Sequence, residues 1–202
     1  YDIPRNWGVP VRFHDYMFFL ENSNAKFLEF HLSYNDLSFN IEETFSDNIY
    51  DIDFIVHSPD IFEGDHLLDI SLENEEHRME SIENLRRVVD ITKSMKPYFN
   101  TKGKTTIVAS VGGSTRNAPM PQSTKAEAYK RVEMSLRELD NEDTEIIIQT
   151  LPPFPWYFGG QLFLNLFVDS KETFEFCQEY NRRICFDTSH SQLACNRDKT
   201  GF

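Results

Sequence analysis

Residues 183–190 read Arg-Ile-Cys-Phe-Asp-Thr-Ser-His. The first half, Arg183 to Phe186, has the composition of a short buried strand, and two chemically active side chains, Asp187 and His190, follow it directly. If the strand runs into a helical turn, both side chains can face one pocket and offer an oxygen and an imidazole to a cation or a substrate. The alternative is that Asp187 caps the following helix.

Five similar β-rich apolar runs occur earlier in the chain: Val9 to Phe13, Phe27 to Leu32, Asp53 to Val56, Thr105 to Val111 and Glu145 to Gln149. Several are almost continuously apolar, which is typical of parallel strands that are buried on both faces. Amphipathic or polar stretches separate them. This alternation predicts a parallel α/β fold.

Three helices carry recognisable signals. Asn74 to Tyr98 has apolar residues at a helical period and predicts one long helix. Thr124-Lys125-Ala126-Glu127 has the form of a capping box before a helix over Ala128 to Leu139. Asp169-Ser170-Lys171-Glu172 pairs an N-cap Asp with an N3 Glu before Phe174 to Asn181.

A closed barrel and an open doubly wound sheet both fit this order, and the polar residues at the strand ends favour the barrel. They are His14, Glu29, His31, Tyr34, His57, Ser110, Gln149, Thr150, Asp187 and His190. In a barrel these ends converge on one mouth, whereas an open sheet of this kind normally has a Gly-rich loop after its first strand. We therefore expect a single α/β domain over residues 1–202, a TIM (β/α)8-type barrel of which about six β/α units are present, as part of a longer chain.

Composition narrows the function classes. Lys plus Arg number 20 and Asp plus Glu 33, which gives a formal charge of −13 and disfavours nucleic acid as a partner. Three cysteines are too few and too unevenly spaced for a disulfide framework. No apolar run reaches the roughly 18 residues of a membrane span, so we expect a cytoplasmic protein without a membrane partner.

Four side chains on the first three strands are candidates for the site. His14, His31 and His57 follow or end strands, where imidazole can bind a metal or a sugar hydroxyl; the alternative is that each satisfies backbone carbonyls. Glu29 lies in an otherwise apolar strand, so it is expected to be paired or to face the site. Arg12 is the expected partner.

The loops after the fourth and fifth strands add further candidates. The loop that begins at Gln149 and runs to Gly160 contains Trp156, whose indole is the type of surface on which sugars stack; it could equally cover the barrel rim. Gly112-Gly113 offers backbone N–H groups to a phosphate or carboxylate.

These stretches resemble the xylose-isomerase-like barrels, a superfamily that includes sugar-phosphate isomerases, epimerases and apurinic endonucleases. The resemblance rests on Phe27 to Phe30, Val56 to Pro59, Gln149 to Pro153, Gly159-Gly160 and Asp187 to His190. It implies that Asp187 ligates a divalent metal (Mn, Mg, Co or Zn) and that His190 binds metal or substrate. From their positions at the strand ends and in the loops, we expect Glu29, His57 and Gln149 to be catalytic, and His14, His31, Trp156 and His190 to contact the substrate.

Two departures weaken the metal expectation. The family has a Glu where this chain has Gln149, and an amide is neither a base nor a strong cation ligand. The family's remaining ligands come from the seventh and eighth strands, which would lie after Phe202.

A second resemblance concerns the context of the barrel. Ile3 to Arg12 and the Pro152 to Trp156 loop are similar to the barrel at the C-terminus of multidomain N-acetylneuraminate (sialic acid) synthase-like proteins. The expected function is therefore a sugar or sugar-phosphate isomerase or epimerase in carbohydrate biosynthesis, with other domains of a longer chain as neighbours. The alternatives are a catalytically silent sugar-binding or scaffold barrel and, disfavoured by charge, an apurinic endonuclease.

Overall fold

A computed structural model describes residues 6–46, 48–155, 159 and 162–199. Within them, six parallel strands form one curled sheet, which is a half-barrel. The order of the strands across the sheet is their order in the chain. The strands are β1 Gly8–Val11, β2 Phe27–His31, β3 Asp53–His57, β4 Thr105–Ala109, β5 Thr144–Gln149 and β6 Ile184–Cys185. All six predicted strands are present, and the predicted α/β barrel class is confirmed.

Helices connect the strands on the convex side of the sheet. They are α1 Tyr16–Asn22, α2 Ile41–Phe45, α3 Glu75–Met95, α4 Gln122–Arg137, α5 Ser170–Tyr180 and α6 Thr188–Asp198. Short 3-10 turns cover Tyr34–Ser38, Glu63–Asp65 and Lys96–Tyr98. No helix of the described residues combines the length and apolar content that crossing a membrane requires.

The alternation of β2 separates the core from the mouth of the barrel. Leu28 and Phe30 are fully buried, whereas Glu29 and His31 are only partly buried. Successive side chains of a strand point to opposite faces, so the first pair packs under the helices while the second pair faces the concave side of the sheet. The same alternation in β3 places Val56 in the core and His57 on the concave side.

Aromatic side chains fill the space between the sheet and the first helices. Phe45 of α2 is fully buried and contacts the rings of Phe30, Tyr16 and Phe99 at centroid distances of 6.1, 5.4 and 5.2 Å. The contacts are edge-to-face, the arrangement that the ring quadrupoles favour. This cluster fixes the strands whose ends carry His31 and His57.

The predicted starts of two of the three helices are confirmed. Asp169 caps α5, and its Oδ1 accepts hydrogen bonds from the N–H groups of Lys171 and Glu172. Helix α3 covers most of its predicted range. The capping box at Thr124 is wrong, because α4 already begins at Gln122, after Pro121, and the Thr124 hydroxyl donates to the carbonyl of Pro121.

The loops after β4 and β5 are tied to each other beside the mouth. Ser114–Thr115 pairs with Phe163–Leu164 in a small antiparallel sheet. Asn165 Nδ2 donates to the carbonyl of Gly113 at 2.5 Å, and its Oδ1 accepts from the N–H of Met120 at 2.8 Å. Each loop therefore restricts the other.

The carboxylate of Asp69 packs against Gly112 in the turn that follows β4. Asp69 is 1% exposed and accepts from the N–H and hydroxyl of both Ser71 and Ser114. Gly112 has φ +95°, and a Cβ there would lie 2.6 Å from Cγ of Asp69. The N–H that donates to Asp69 is that of Ser114, so the expectation that Gly112 and Gly113 offer their own N–H groups to a phosphate or carboxylate stays a prediction.

Candidate functional site

Two histidines stack at the carboxyl ends of β2 and β3. The register aligns His31 with His57, and the ring centroids are 4.6 Å apart with an interplanar angle of 17°. His31 Nε2 lies 3.0 Å from Glu29 Oε1. The sequence suggested Arg12 as the partner of Glu29; instead, the Arg12 guanidinium donates to the backbone carbonyl of His31.

A hydrogen-bonded row continues from His57 across β4 to β5. His57 Nε2 lies 3.4 Å from Gln149 Oε1, and Gln149 Nε2 donates to the Ser110 hydroxyl at 2.6 Å. His57 Nδ1 faces the carbonyl of Ser58 at 3.0 Å. Gln149 is 5% exposed. The structure thus brings three predicted residues, His31, His57 and Gln149, into one continuous set of contacts.

Glu29 is held as an anion in this row. Burial alone raises the pKa of its carboxyl group, but the hydrogen bond from His31 and the charges of His31 and His57 outweigh burial, so the pKa is lowered. The negative charge of Asp187 acts in the opposite direction. Glu29 is therefore a carboxylate at neutral pH.

Cys185 is a mouth residue that sequence reasoning missed. The register pairs it with Gln149, and residues paired in a parallel sheet share a face. Burial, together with the charges of Glu29 and Asp187, raises the pKa of its thiol. Glu29 comes from a distant part of the chain, so only strand register could have revealed that Cys185 shares the face of Gln149.

Asp187 and His190 are brought together as predicted. Asp187 caps α6, since its Oδ1 accepts from the N–H of His190 at 2.8 Å, and its Oδ2 lies 3.6 Å from His190 Nδ1. The same Nδ1 lies 2.9 Å from the carbonyl of Thr150. The helix-cap alternative is therefore correct for Oδ1 of Asp187. Oδ2 still faces His190, and the Asp187 side chain is 31% exposed.

Two predicted substrate contacts stand apart from this set. The His14 side chain is 81% exposed, and its Nε2 lies 3.8 Å from Asp15 Oδ2. Trp156 lies outside the residues that the structure describes. The role of each in binding remains a prediction.

The described residues do not fit the divalent metal that the family resemblance implies. Residues 6–46, 48–155, 159 and 162–199 contain no group of three His, Cys, Asp or Glu side chains arranged to hold a metal ion. The donor chemistry agrees: Glu29 is engaged by His31, Asp187 caps a helix, and the Gln149 amide stands where a carboxylate would be needed. No chemical step is therefore assigned to a metal.

Comparison with known proteins identifies the family. No curated protein matches the chain significantly. A family model described as xylose isomerase-like TIM barrel matches residues 19–201, which include β2 to β6 with Glu29, His31, His57, Gln149, Cys185, Asp187 and His190. That match and the half-barrel of parallel strands agree, and the chain belongs to the xylose isomerase-like TIM barrel family.

Proposed function

We propose that the mouth binds an open-chain sugar or sugar phosphate and moves a proton on the carbon beside its carbonyl group, as sugar isomerases and epimerases do. The observation that carries the proposal is the Glu29 carboxylate, kept ionised by His31 on the concave side of the sheet. A positioned carboxylate is a suitable base for this chemistry, which general acid–base catalysis accelerates by about 10²–10⁴-fold.

The neighbouring row supplies binding groups for a polyhydroxylated substrate. His57, Gln149 and Ser110 present imidazole, amide and hydroxyl groups side by side. Sugar hydroxyls both donate and accept hydrogen bonds, and this row can do the same. In the proposal, Glu29 takes the proton, His31 orients Glu29, and His57 with Gln149 holds the substrate oxygens; Asp187 and His190 border the far side.

Proton exchange in heavy water tests the proposal. The protein is incubated with D-mannose, D-fructose, N-acetyl-D-glucosamine and their 6-phosphates, and the proton beside the carbonyl is followed by NMR. We expect one of these sugars to lose that signal, and we expect Glu29→Gln to slow the loss about 100-fold. Glu142→Gln, at an exposed position, is the matched control. Absence of exchange with every sugar rejects the enzymatic proposal.

A catalytically silent sugar-binding barrel is the second candidate. It is favoured by Gln149, whose amide is already engaged by Ser110 and His57 and cannot act as a base. Calorimetric titration with the same sugars separates the two: binding without proton exchange supports the silent barrel. A scaffold that contacts other domains of a sialic acid synthase-like chain would bind none of these sugars.

Cleavage of abasic DNA is a further activity of proteins that this chain resembles. A formal charge of −13 opposes binding to phosphates, because such binding relies on basic side chains that displace counterions. We therefore expect no cleavage of an abasic duplex under conditions in which sugar exchange proceeds.

A further inference from the structure

Arg12 lies at the mouth beside His31, directly after β1. In the β1–β2 register Val11 pairs with Phe30, and both side chains are buried in the core. The next residue of each segment, Arg12 and His31, therefore points to the opposite, concave side of the sheet. The Arg12 guanidinium donates through Nη1 to the carbonyl of His31, so the two residues are in contact. Arg12 thus borders the row that begins with Glu29 and His31.

The charge of the Arg12 guanidinium is not neutralised by an ion pair. Within the described part of the chain no carboxylate lies within ion-pair distance of it, and its side chain makes one hydrogen bond, to the His31 carbonyl. Arg78 and Arg182, by contrast, each contact a carboxylate. A guanidinium presents several N–H donors in a planar fork, so most of those of Arg12 remain available to a ligand.

A cavity of about 300 Å³ opens next to the guanidinium, between the segments that follow β1 and β2. Its walls are formed by Arg12, Phe13, His14, Ser33, Asp36 and Phe39. The carboxylate of Asp36 is engaged by the chain itself, since its Oδ2 accepts from the N–H of Ser33 at 2.6 Å and from the Ser33 hydroxyl at 2.8 Å. Arg12 and the exposed His14 remain as side chains that can donate hydrogen bonds to an anionic ligand.

We propose that Arg12 binds the phosphate group of a sugar phosphate whose carbonyl end lies beside Glu29, so that the mouth takes sugar phosphates in preference to free sugars. The inference rests on the proposed function for the orientation of the ligand, and it makes the substrate class specific. A phosphate group presents three terminal oxygens. The fork of a guanidinium can hold two of them, which leaves one for a further donor such as His14.

The spacing along the strands suits such a ligand. Glu29 pairs with Pro10, and Arg12 follows Pro10 by two residues on the neighbouring strand. With about 3.3 Å per residue along a strand and about 4.8 Å between strands, the Cα atoms of Glu29 and Arg12 are about 8 Å apart. An open-chain hexose 6-phosphate carries its phosphate at the end opposite to the carbon from which Glu29 would remove a proton. The sheet therefore offers a base and a cation to the two ends of this molecule.

A second cavity that contains an arginine fits an anion less well. It has a volume of about 360 Å³, and its lining includes Arg116 together with the carboxylates of Asp65 and Asp69. Two carboxylates in the wall oppose a bound phosphate. The Arg116 guanidinium also makes no hydrogen bond within the described residues that would orient it. Arg116 therefore provides a matched control for Arg12.

Calorimetric titration tests the inference without requiring turnover. The ligands are D-fructose 6-phosphate and D-mannose 6-phosphate, compared with the free sugars and with D-glucuronate, whose anionic group is a carboxylate. We expect the wild-type protein to bind one of the phosphates at least about 10-fold more tightly than its free sugar or D-glucuronate. Arg12→Gln should weaken the binding of that phosphate about 10–100-fold, because charge-assisted hydrogen bonds are lost while the new amide can still donate to the His31 carbonyl. Arg116→Gln should bind as wild type does.

Arginine modification maps the contact directly. Phenylglyoxal labelling followed by peptide mapping should show that the bound sugar phosphate slows modification of Arg12 but not of Arg116. Thermal unfolding establishes that Arg12→Gln is folded. If it is not, Arg12→Lys replaces it; this variant keeps a charge but lacks the planar fork, and it should weaken phosphate binding about 10-fold.

Four results would overturn the inference: equal affinity for the phosphates and the free sugars, D-glucuronate bound as tightly as the phosphates, a preference for phosphate that survives in the Arg12 variant, and a preference that is lost in Arg116→Gln. Each of them leaves the proposed function to be decided by proton exchange. Conversely, phosphate binding that depends on Arg12 without proton exchange would support the inference and reject the enzymatic proposal.

Discussion

The imidazole rings of His31 and His57 lie nearly parallel, with centroids 4.6 Å apart. Their stacking joins two otherwise separate contacts, because His31 faces Glu29 while His57 faces Gln149. Each ring limits the rotation of the other. The orientation of the carboxylate on β2 is thereby linked to that of the amide on β5, although the two strands are separated by β3 and β4.

His31→Gln should shift the pH dependence of proton exchange. The variant loses the imidazole hydrogen bond and charge of His31 that lower the pKa of Glu29, so only the charge of His57 still opposes burial and the pKa rises. Since the base acts as a carboxylate, the acidic limb of the rate profile should move to higher pH. Exchange rates from pH 3 to 8 measure it, with the exposed His77→Gln as control. An unmoved limb would show that His31 does not control Glu29.

The Glu29 carboxyl group should also contribute to the change of protein stability at acidic pH. Because the pKa of Glu29 is lower in the folded protein than in the unfolded chain, its contribution is fully present above the unfolded value of about 4.3. It is lost as the pH falls through the folded value. Urea unfolding at pH 3 and pH 6 should therefore differ less for Glu29→Gln than for wild type, and an equal difference would contradict this.

Asp69→Ala should destabilise the fold by about 3 kcal/mol, because it leaves the buried donors of Ser71 and the partly buried donors of Ser114 without an acceptor. Asp69→Asn should cost less, since an amide oxygen still accepts hydrogen bonds. Equilibrium urea unfolding measures both. Equal losses for the two variants would contradict this, because both variants lose the charged carboxylate with its two acceptor oxygens, whereas only Asp69→Asn keeps one acceptor oxygen.

Asp169→Ala should cost about 1 kcal/mol, the usual value of an N-cap, because the two N–H groups at the start of α5 lose their acceptor. Thr124→Ala should change stability by less than about 0.5 kcal/mol, since Thr124 lies within α4 and does not cap it. Chemical denaturation measures the loss of stability in both variants. A larger loss for the Thr124 variant would contradict the assignment of Asp169, and not Thr124, as a helix cap.

Phe45→Ala should cost about 3–5 kcal/mol, because a fully buried ring at the centre of an aromatic cluster is removed and a cavity remains. The matched control is Phe174→Ala, whose ring is 59% exposed and whose loss should change stability little. Thermal and urea unfolding measure both. Similar losses in the two variants would show that Phe45 does not hold the core together.

The sequence predicted the barrel because hydrophobic runs and strand-end polar residues are local signals. The alternation in β2 singled out Glu29, and the strand-end position singled out His57 and Gln149; all three lie on the concave side of the sheet. The pairing of Asp187 with His190 was also readable, since both belong to one helical turn.

Contacts between distant segments could not be predicted from the sequence. Cys185 lies in a two-residue strand without a periodic pattern, and its neighbours are set by register. Asp69 binds Ser114, 45 residues away. The predicted capping box at Thr124 is wrong because α4 begins directly after Pro121, so that Thr124 lies inside the helix.

The alternation of β2 makes this strand sensitive to changes in length. One residue inserted between Phe27 and Leu28, with the pairing to β3 otherwise kept, would turn Glu29 and His31 toward the helices and direct Leu28 and Phe30 toward the mouth. Two inserted residues would restore both faces. Viable natural variation in this strand should therefore replace residues, or add and remove them in pairs, and single-residue insertions and deletions should be confined to the loops on either side.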